Sequence, residues 1–314
     1  MQQLLLATYV NFWEPGAGHK CRISTLVSYL QTKVSITLAF AGNINDAGRE
    51  RISKRYPNMT VVALGDGRPR TFEYYKAQFE WFCSKHVFDM ALIEYVDMSF
   101  VLPLLSADCT TFLDIHDLVH QRIDSFRGNN VSYDGLFLTR EEEFQLFECY
   151  DYVLPIQEKE YATIVEQMHP ERVILTPHAV CTPKVQSRDT LTEIGYIASA
   201  YAPNVDAITR FIDLVWSRLH SETGMFLNIY GPVCGSLRDS VKSHSSIRLH
   251  GELETVEQAY HDNDIMINPV RCGAGLKIKN IEAMGYGLPL ITSSHGAAGI
   301  EDGQDHDIFS CRGH

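Results

Sequence analysis

Residues 267–299, INPVRCGAGLKIKNIEAMGYGLPLITSSHGAAG, read as the end of a strand, a glycine loop, a helix and a second strand. Ile265, Met266 and Ile267 form a short apolar run of the length of a buried strand. Arg271-Cys272-Gly273-Ala274-Gly275 is the loop. Residues 276–284 read as a helix, with apolar Leu276, Ile278, Ile281, Ala283 and Met284 and polar Lys277, Lys279, Asn280 and Glu282. Gly285 and Gly287 stop it, and Pro289 stands at the start of a second apolar strand over 288–292. The whole is one βαβ unit.

This arrangement suits an anion. Glycines let the backbone approach a bulky ligand, and N–H groups at a helix start point toward negative charge. Lys277 and Lys279 fall in the predicted first turn, where a cation opposes the helix dipole. A phosphate or diphosphate would give them a reason to be there. Glu282 follows three residues after Lys279, and a carboxylate there can accept hydrogen bonds from the two hydroxyls of a ribose. The same residues also allow plainer readings: an ordinary strand–helix turn, and an exposed ion pair at i,i+3. The stretch is neither a P-loop nor a complete dinucleotide fingerprint, because it lacks Gly-Lys-Ser/Thr and the third glycine.

GAGLKIKNIEAMGYGLPLITSSHGAAG closely resembles the donor-site signature of family-4 retaining glycosyltransferases (glycosyl transferases group 1, GT-B fold). The resemblance implies that Gly273, Ala274, Gly275 and Leu276 lie at the donor, that Lys277 and Lys279 neutralise phosphate, and that Glu282 holds the ribose. It implies catalytic roles for Lys277 and for His116, the latter in Phe112-Leu113-Asp114-Ile115-His116-Asp117-Leu118, an apolar strand with polar groups at its C-terminal end. In open α/β sheets, ligands bind outside that end. It further implies donor contacts from Gly16 and Gly18 in the first loop, from the Tyr230-Gly231-Pro232 turn and from Gly251-Glu252-Leu253. Two positions depart from the pattern. Gly275 stands where many members carry a second glutamate, and residues 199–204, Ser-Ala-Tyr-Ala-Pro-Asn, lack the arginine and lysine often found there. The cationic work then falls to Lys277, Lys279 and Arg271.

The 314 residues, with 45% hydrophobic and 21% charged side chains, fit two domains with full cores. A net charge of −12 argues against a nucleic-acid surface. The eight cysteines include no C-x-x-C pair, so the spacing shows no zinc or thioredoxin motif. No apolar run approaches the roughly 20 residues of a membrane span. Apolar strand-like runs alternate with helical stretches from residue 4 onward, the pattern of a parallel sheet wound on both faces. Helices are expected over 72–85, 159–168 and 206–219, among others. The expected division is an N-terminal Rossmann-like acceptor-side domain over 1–180, a linker over 181–192 and a C-terminal Rossmann-like donor domain over 193–314. The chain stops soon after Gly299, where the enzymes it resembles continue with a further strand and helices. This implies a piece of a longer polypeptide, or a second domain that is minimal or completed by another chain.

The expected function is transfer of a sugar, with retention, from a UDP- or GDP-linked donor to a saccharide or lipid-linked acceptor, in glycan or polysaccharide biosynthesis. The nucleotide sugar is a co-substrate, and no cofactor or metal is required in that scheme. Asp262-Asn263-Asp264 is read as a helix end rather than a metal motif. The expected location is the cytoplasm, at the inner face of the membrane if the acceptor is lipid-linked, with peripheral membrane contact and no nucleic-acid partner. The rival readings are a non-catalytic GT-B scaffold subunit and a nucleotide-sugar epimerase. The latter would make product from donor alone.

Overall fold

The computed structural model describes residues 1–133, 135–180, 190–303 and 308–311, the last four by backbone only. The chain divides into two units. The first comprises Met1–Glu14, Arg22–His120 and Gly135–Pro177; the second comprises Pro15–Cys21, Gln121–Asp134 and His178–His314. Residues 181–189 of the expected linker lie outside the described residues.

The strands of the first unit are β1 (Gln3–Thr8), β2 (Ser35–Phe40), β3 (Thr60–Ala63), β4 (Met90–Glu94), β5 (Thr110–Asp114) and β6 (Tyr152–Leu154). They form one sheet in the order β3-β2-β1-β4-β5-β6, and every pairing is parallel. A parallel sheet covered on both faces selects apolar side chains on both sides of its central strands. Leu5, Leu6 and Ala7 of β1 are accordingly buried in succession. Leu4 and Leu6 pack with Ile36 and Leu38 of β2, and with Ile23 and Val27.

The helices in chain order are α1 (Gly18–Leu30), α2 (Asp46–Arg55), α3 (Phe72–Cys83), α4 (Val119–Gly128), α5 (Arg140–Phe147), α6 (Glu158–Val165), α7 (Ala202–Phe211), α8 (Ser217–Thr223), α9 (Asp239–Lys242), α10 (Glu257–His261) and α11 (Ile278–Gly285). α5 starts at a capping box. Thr139 accepts from Glu142 N, and Glu142 accepts from Thr139 N at 2.8 Å. The acidic run Glu141-Glu142-Glu143 forms the first turn of this helix, where carboxylates favour the dipole. Glu143 is buried and accepts from the backbone N–H of Val119 and His120.

The second unit repeats the topology. Its strands β7 (Glu193–Ile197), β8 (Phe226–Tyr230), β9 (Ile247–Gly251), β10 (Ile265–Asn268), β11 (Leu290–Ser293) and β12 (Ile308–Cys311) take the order β12-β11-β10-β7-β8-β9, all parallel. Numbered within its own unit, each sheet has the order of a doubly wound dinucleotide-type fold, strands three, two and one followed by four, five and six in the first unit and the mirror listing in the second. In such sheets the winding reverses between the first strand and its later neighbour, so the second unit places its crevice where β7 and β10 lie side by side. The sequence reading left out β12, which pairs with β11.

The helix expected over 206–219 differs in detail. It begins at Ala202, with Pro203 in its first turn, and passes through a π turn over Ile212–Trp216 before continuing as α8. Ile208, Ile212 and Trp216, each four residues apart, are all buried, while Leu214 and Val215 are exposed. An α-helix would rotate such a spacing off one face by about 40° per step, and the wider π turn limits that drift.

Candidate functional site

The glycine loop of the second unit runs from β10 to α11. Gly273 has φ 111° and Gly275 φ 73°, a region that glycine enters without the steric cost a side chain would add. The helix starts later than the sequence predicts. Leu276 is not helical, and Lys277 is the N-cap, with φ −84° and ψ 90°. Its side chain makes no capping bond; the ammonium instead donates to the carbonyls of Ala274 at 3.2 Å and Gly275 at 2.8 Å. Lys277 therefore braces the loop that leads into the helix.

Buried polar groups fix the position of α11. Asn280 donates from Nδ2 to the Gly296 carbonyl at 2.8 Å and accepts at Oδ1 from Asn268 Nδ2 at 2.8 Å. Thr292 Oγ1 donates to the Asn268 carbonyl at 2.8 Å. Asn268, Asn280 and Thr292 are all buried, and unmade bonds there would be costly. In the sequence Asn280 is only one of the polar residues of this helix, and nothing local marks it as buried.

Lys279 and Glu282 do not form an exposed ion pair. Lys279 Nζ donates to Asn204 Oδ1 at 3.1 Å and lies 4.8 Å from the centre of the buried Tyr196 ring. Burial, with the Lys277 ammonium adding to it, pushes the Lys279 pKa down to about 7. Glu282 is buried. Its Oε2 accepts from the Tyr260 hydroxyl at 2.7 Å, and its Oε1 accepts from the Cys21 thiol at 3.1 Å. Burial raises the Glu282 pKa, and those two hydrogen bonds oppose the rise.

Other expected residues separate into built and open positions. Gly18 opens α1 with its Cα against α11: an added Cβ would lie 2.8 Å from Ile278 Cβ. Gly16, φ 126°, has open space where a Cβ would stand. Gly231, φ 93°, donates to the Gly251 carbonyl at 2.6 Å, and a Cβ added there would lie 2.3 Å from the Ala198 carbonyl oxygen. Gly251, φ 70°, ends β9 with open space around it, followed by exposed Glu252 and half-buried Leu253. Ala274 is half-buried beside the two loop glycines.

Arg271 is committed elsewhere. Its guanidinium grips both oxygens of Asp206, at 2.6 and 3.1 Å, and also donates to Asn129. Gly273 N donates to Ser125 Oγ at 3.0 Å. Asp264, from the Asp-x-Asp stretch, accepts from the backbone N–H of Thr192 and Glu193, and Asn263 donates to Tyr230 and Ala259. Those residues hold the sheet together. His295, which the sequence reading passed over, has its pKa lowered by burial and by Lys277, and hydrogen bonds with the backbone of Gly273 and Cys272 oppose that shift.

In the first unit, His116 follows β5. Its φ is 59°, and Tyr95, after the neighbouring β4, has φ 70°. The two rings stack at 4.0 Å. His116 Nε2 is 2.7 Å from Glu94 Oε2. Arg22 chelates Asp114, with Nε at 2.7 Å from Oδ2 and Nη2 at 2.7 Å from Oδ1, and donates to the Thr176 carbonyl. Glu94 and Asp114 are wholly buried. Burial alone would lower the His116 pKa, but the Asp114 and Glu94 carboxylates outweigh it and raise it. The same burial, together with Asp114, raises the Glu94 pKa.

Residues 192–312 match the family model described as glycosyl transferases group 1. No curated protein matches the sequence. Among solved structures, HepE from Anabaena in complex with UDP and glucose superposes with a TM-score of 0.68 at 9% identity, over 99% of this chain and 86% of that one. A point mutant of S. aureus TarM, in complex with fondaparinux, α-GlcNAc-glycerol and UDP, gives 0.73 at 8% identity, over 100% and 90%. Sucrose-phosphate synthase from Thermosynechococcus elongatus gives 0.69 at 11%, over 99% and 86%. Residues 192–312 thus match glycosyl transferases group 1, in a chain with the GT-B fold class of two Rossmann-like units.

Proposed function

We propose that the protein is a glycosyltransferase that moves a sugar, with retention, from a nucleoside-diphosphate sugar to a saccharide or lipid-linked acceptor in glycan biosynthesis. The observation that carries this reading is the loop from Gly273 to Lys277. Two glycines with positive φ lead into an α11 start that has no side-chain cap, with a lysine at the N-cap. A diphosphate there would meet helix N–H groups and the Lys277 and Lys279 ammonium groups without a metal ion. Glu282 would take the ribose hydroxyls on the oxygen now held by the weak thiol donor of Cys21. UDP is the first nucleotide to try, because HepE and the S. aureus TarM mutant are solved with it. In the same reading His116 serves the donor sugar, and its ring is fixed by Glu94 and Tyr95.

The test is calorimetric titration of UDP and GDP, without metal, into wild type and Glu282→Ala. One nucleotide should bind wild type and lose roughly 10–100-fold in affinity in the variant, the worth of hydrogen bonds to a charged group. Absence of binding to either nucleotide would sink the donor-site reading and favour a scaffold role. Sugar product formed from donor alone would favour an epimerase.

Proton linkage provides a second expected result. The Lys279 pKa lies near 7, so just above neutrality part of the population is uncharged. A diphosphate beside it favours the ammonium and raises that pKa, so binding takes up protons. Affinity should therefore be greatest below about pH 7 and fall as pH rises through roughly 7 to 8. Titration in buffers of different ionisation enthalpy measures the uptake. Lys279→Met should abolish it, and uptake that persists in that variant would assign it to another group.

A further inference from the structure

Cys21, His178 and Glu282 are brought together from distant parts of the sequence; Cys21 is 157 residues from His178 and 261 from Glu282. All three belong to the second unit. Their ligand-type atoms lie within 4.8 Å of one another. Cys21 Sγ is 4.0 Å from His178 Nε2 and 3.1 Å from Glu282 Oε1. Around tetrahedral zinc, with bonds of about 2.3 Å to sulfur and about 2.0 Å to nitrogen or oxygen, such atoms stand roughly 3.3–3.6 Å apart. The two distances lie on either side of that range, and adjustments of about half an ångström would bring both to it.

The donor set selects the ion. Thiolate, imidazole and carboxylate together suit a zinc-class ion, whereas calcium and magnesium require all-oxygen shells. The outer shell is built as well. The Tyr260 hydroxyl holds Glu282 Oε2 at 2.7 Å, which turns Oε1 toward Cys21, and Tyr260 is itself fixed by stacking on Tyr286 at 4.7 Å. His178 and Glu282 are buried and Cys21 is half-buried. A second trio, Glu94, Asp114 and His116, is equally close, but the Arg22 guanidinium already occupies Asp114.

The geometry points to a binding site for a zinc-class divalent ion on Cys21, His178 and Glu282, with water as the fourth ligand. On binding, the sulfur–metal bond replaces the thiol S–H bond and the proton passes to solvent. The ion and a nucleotide ribose then compete for one carboxylate, so the metal acts as an inhibitor of donor binding. The competition rests on the proposed donor site; the metal site does not.

Cobalt(II) is the probe, added to the full, metal-free chain. Expected are a thiolate-to-cobalt charge-transfer absorption in the near ultraviolet and strong visible bands of a four-coordinate ion. Both should vanish in Cys21→Ser and weaken in His178→Gln, with circular dichroism showing both variants folded. No charge-transfer band in wild type, or a band that persists in Cys21→Ser, overturns the site. UDP is then titrated with and without stoichiometric cobalt. A lower affinity with cobalt supports competition. Unchanged UDP affinity with cobalt bound overturns the competition and leaves the metal site standing. No UDP binding even without metal defeats the donor-site reading and the competition together, while the cobalt spectra still decide the metal site.

Discussion

Lys277→Ala is expected to lower the rate of sugar transfer by roughly 10²–10³-fold, the scale of losing one preorganised group that faces developing charge. The leaving nucleoside diphosphate gains negative charge as the glycosidic bond breaks, and a fixed cation at a helix start stabilises that change more than it stabilises the ground state. The effect should therefore appear mostly in kcat and less in the KM for donor. The structure adds a condition. The ammonium also ties the Ala274 and Gly275 carbonyls, so its removal could loosen the loop. A thermal melt separates the two effects: an unchanged Tm with a large loss of rate assigns the loss to chemistry. Near-normal turnover would remove Lys277 from the mechanism.

The second large effect is on stability. Gly231→Ala should destabilise the protein by about 2–6 kcal/mol. About 1–3 kcal/mol comes from holding a residue with a side chain in a strained backbone region, and about 1–3 kcal/mol from overpacking. Gly231 has φ 93°, and an added Cβ would lie 2.3 Å from the Ala198 carbonyl oxygen. Neither partner is a flexible side chain, because Gly231 N is bonded to the Gly251 carbonyl and Val233 N to that of Ala198. Urea unfolding measures the change. Gly251→Ala is the control: it shares the positive φ, at 70°, but has open space around it, so it carries the strain alone. Equal losses at the two positions would show that the close approach at Gly231 relaxes.

The strand–helix alternation was legible in the sequence because parallel strands buried on both faces leave short apolar runs, such as Leu4-Leu5-Leu6-Ala7 and Ile265-Met266-Ile267. The positive φ of Gly273 and Gly275 was likewise foreshadowed by residue type. Strand order could not be read, since it depends on contacts that no local pattern encodes. α2 went unseen because DAGRERISKR buries only Gly48 and Ile52; its start is held by Asn45 accepting from Gly48 N. α4 did carry a signal, with Val119, Ile123 and Phe126 at helical spacing. At the site, the sequence shows Lys279 and Asn280 only as polar residues of one helix and names none of their partners, among them Asn204 and Gly296, which stand 75 and 16 residues away. Cys21 and His178 were invisible as ligands because proximity in space, not spacing along the chain, relates them.

Tyr95 and His116 bear on how far the first unit could be hardened against heat. Both have positive φ, a sparsely populated backbone region that costs a residue with a side chain about 1–3 kcal/mol. Glycine would relax either position, but it would delete one of two rings stacked at 4.0 Å, and at position 116 also the partner of Glu94. The relief is smaller than the loss of a packed ring and of the partner of buried Glu94, so a screen that rewards melting temperature would keep both residues. This corner keeps its strained backbone because the stacked rings and the Glu94 contact hold it there.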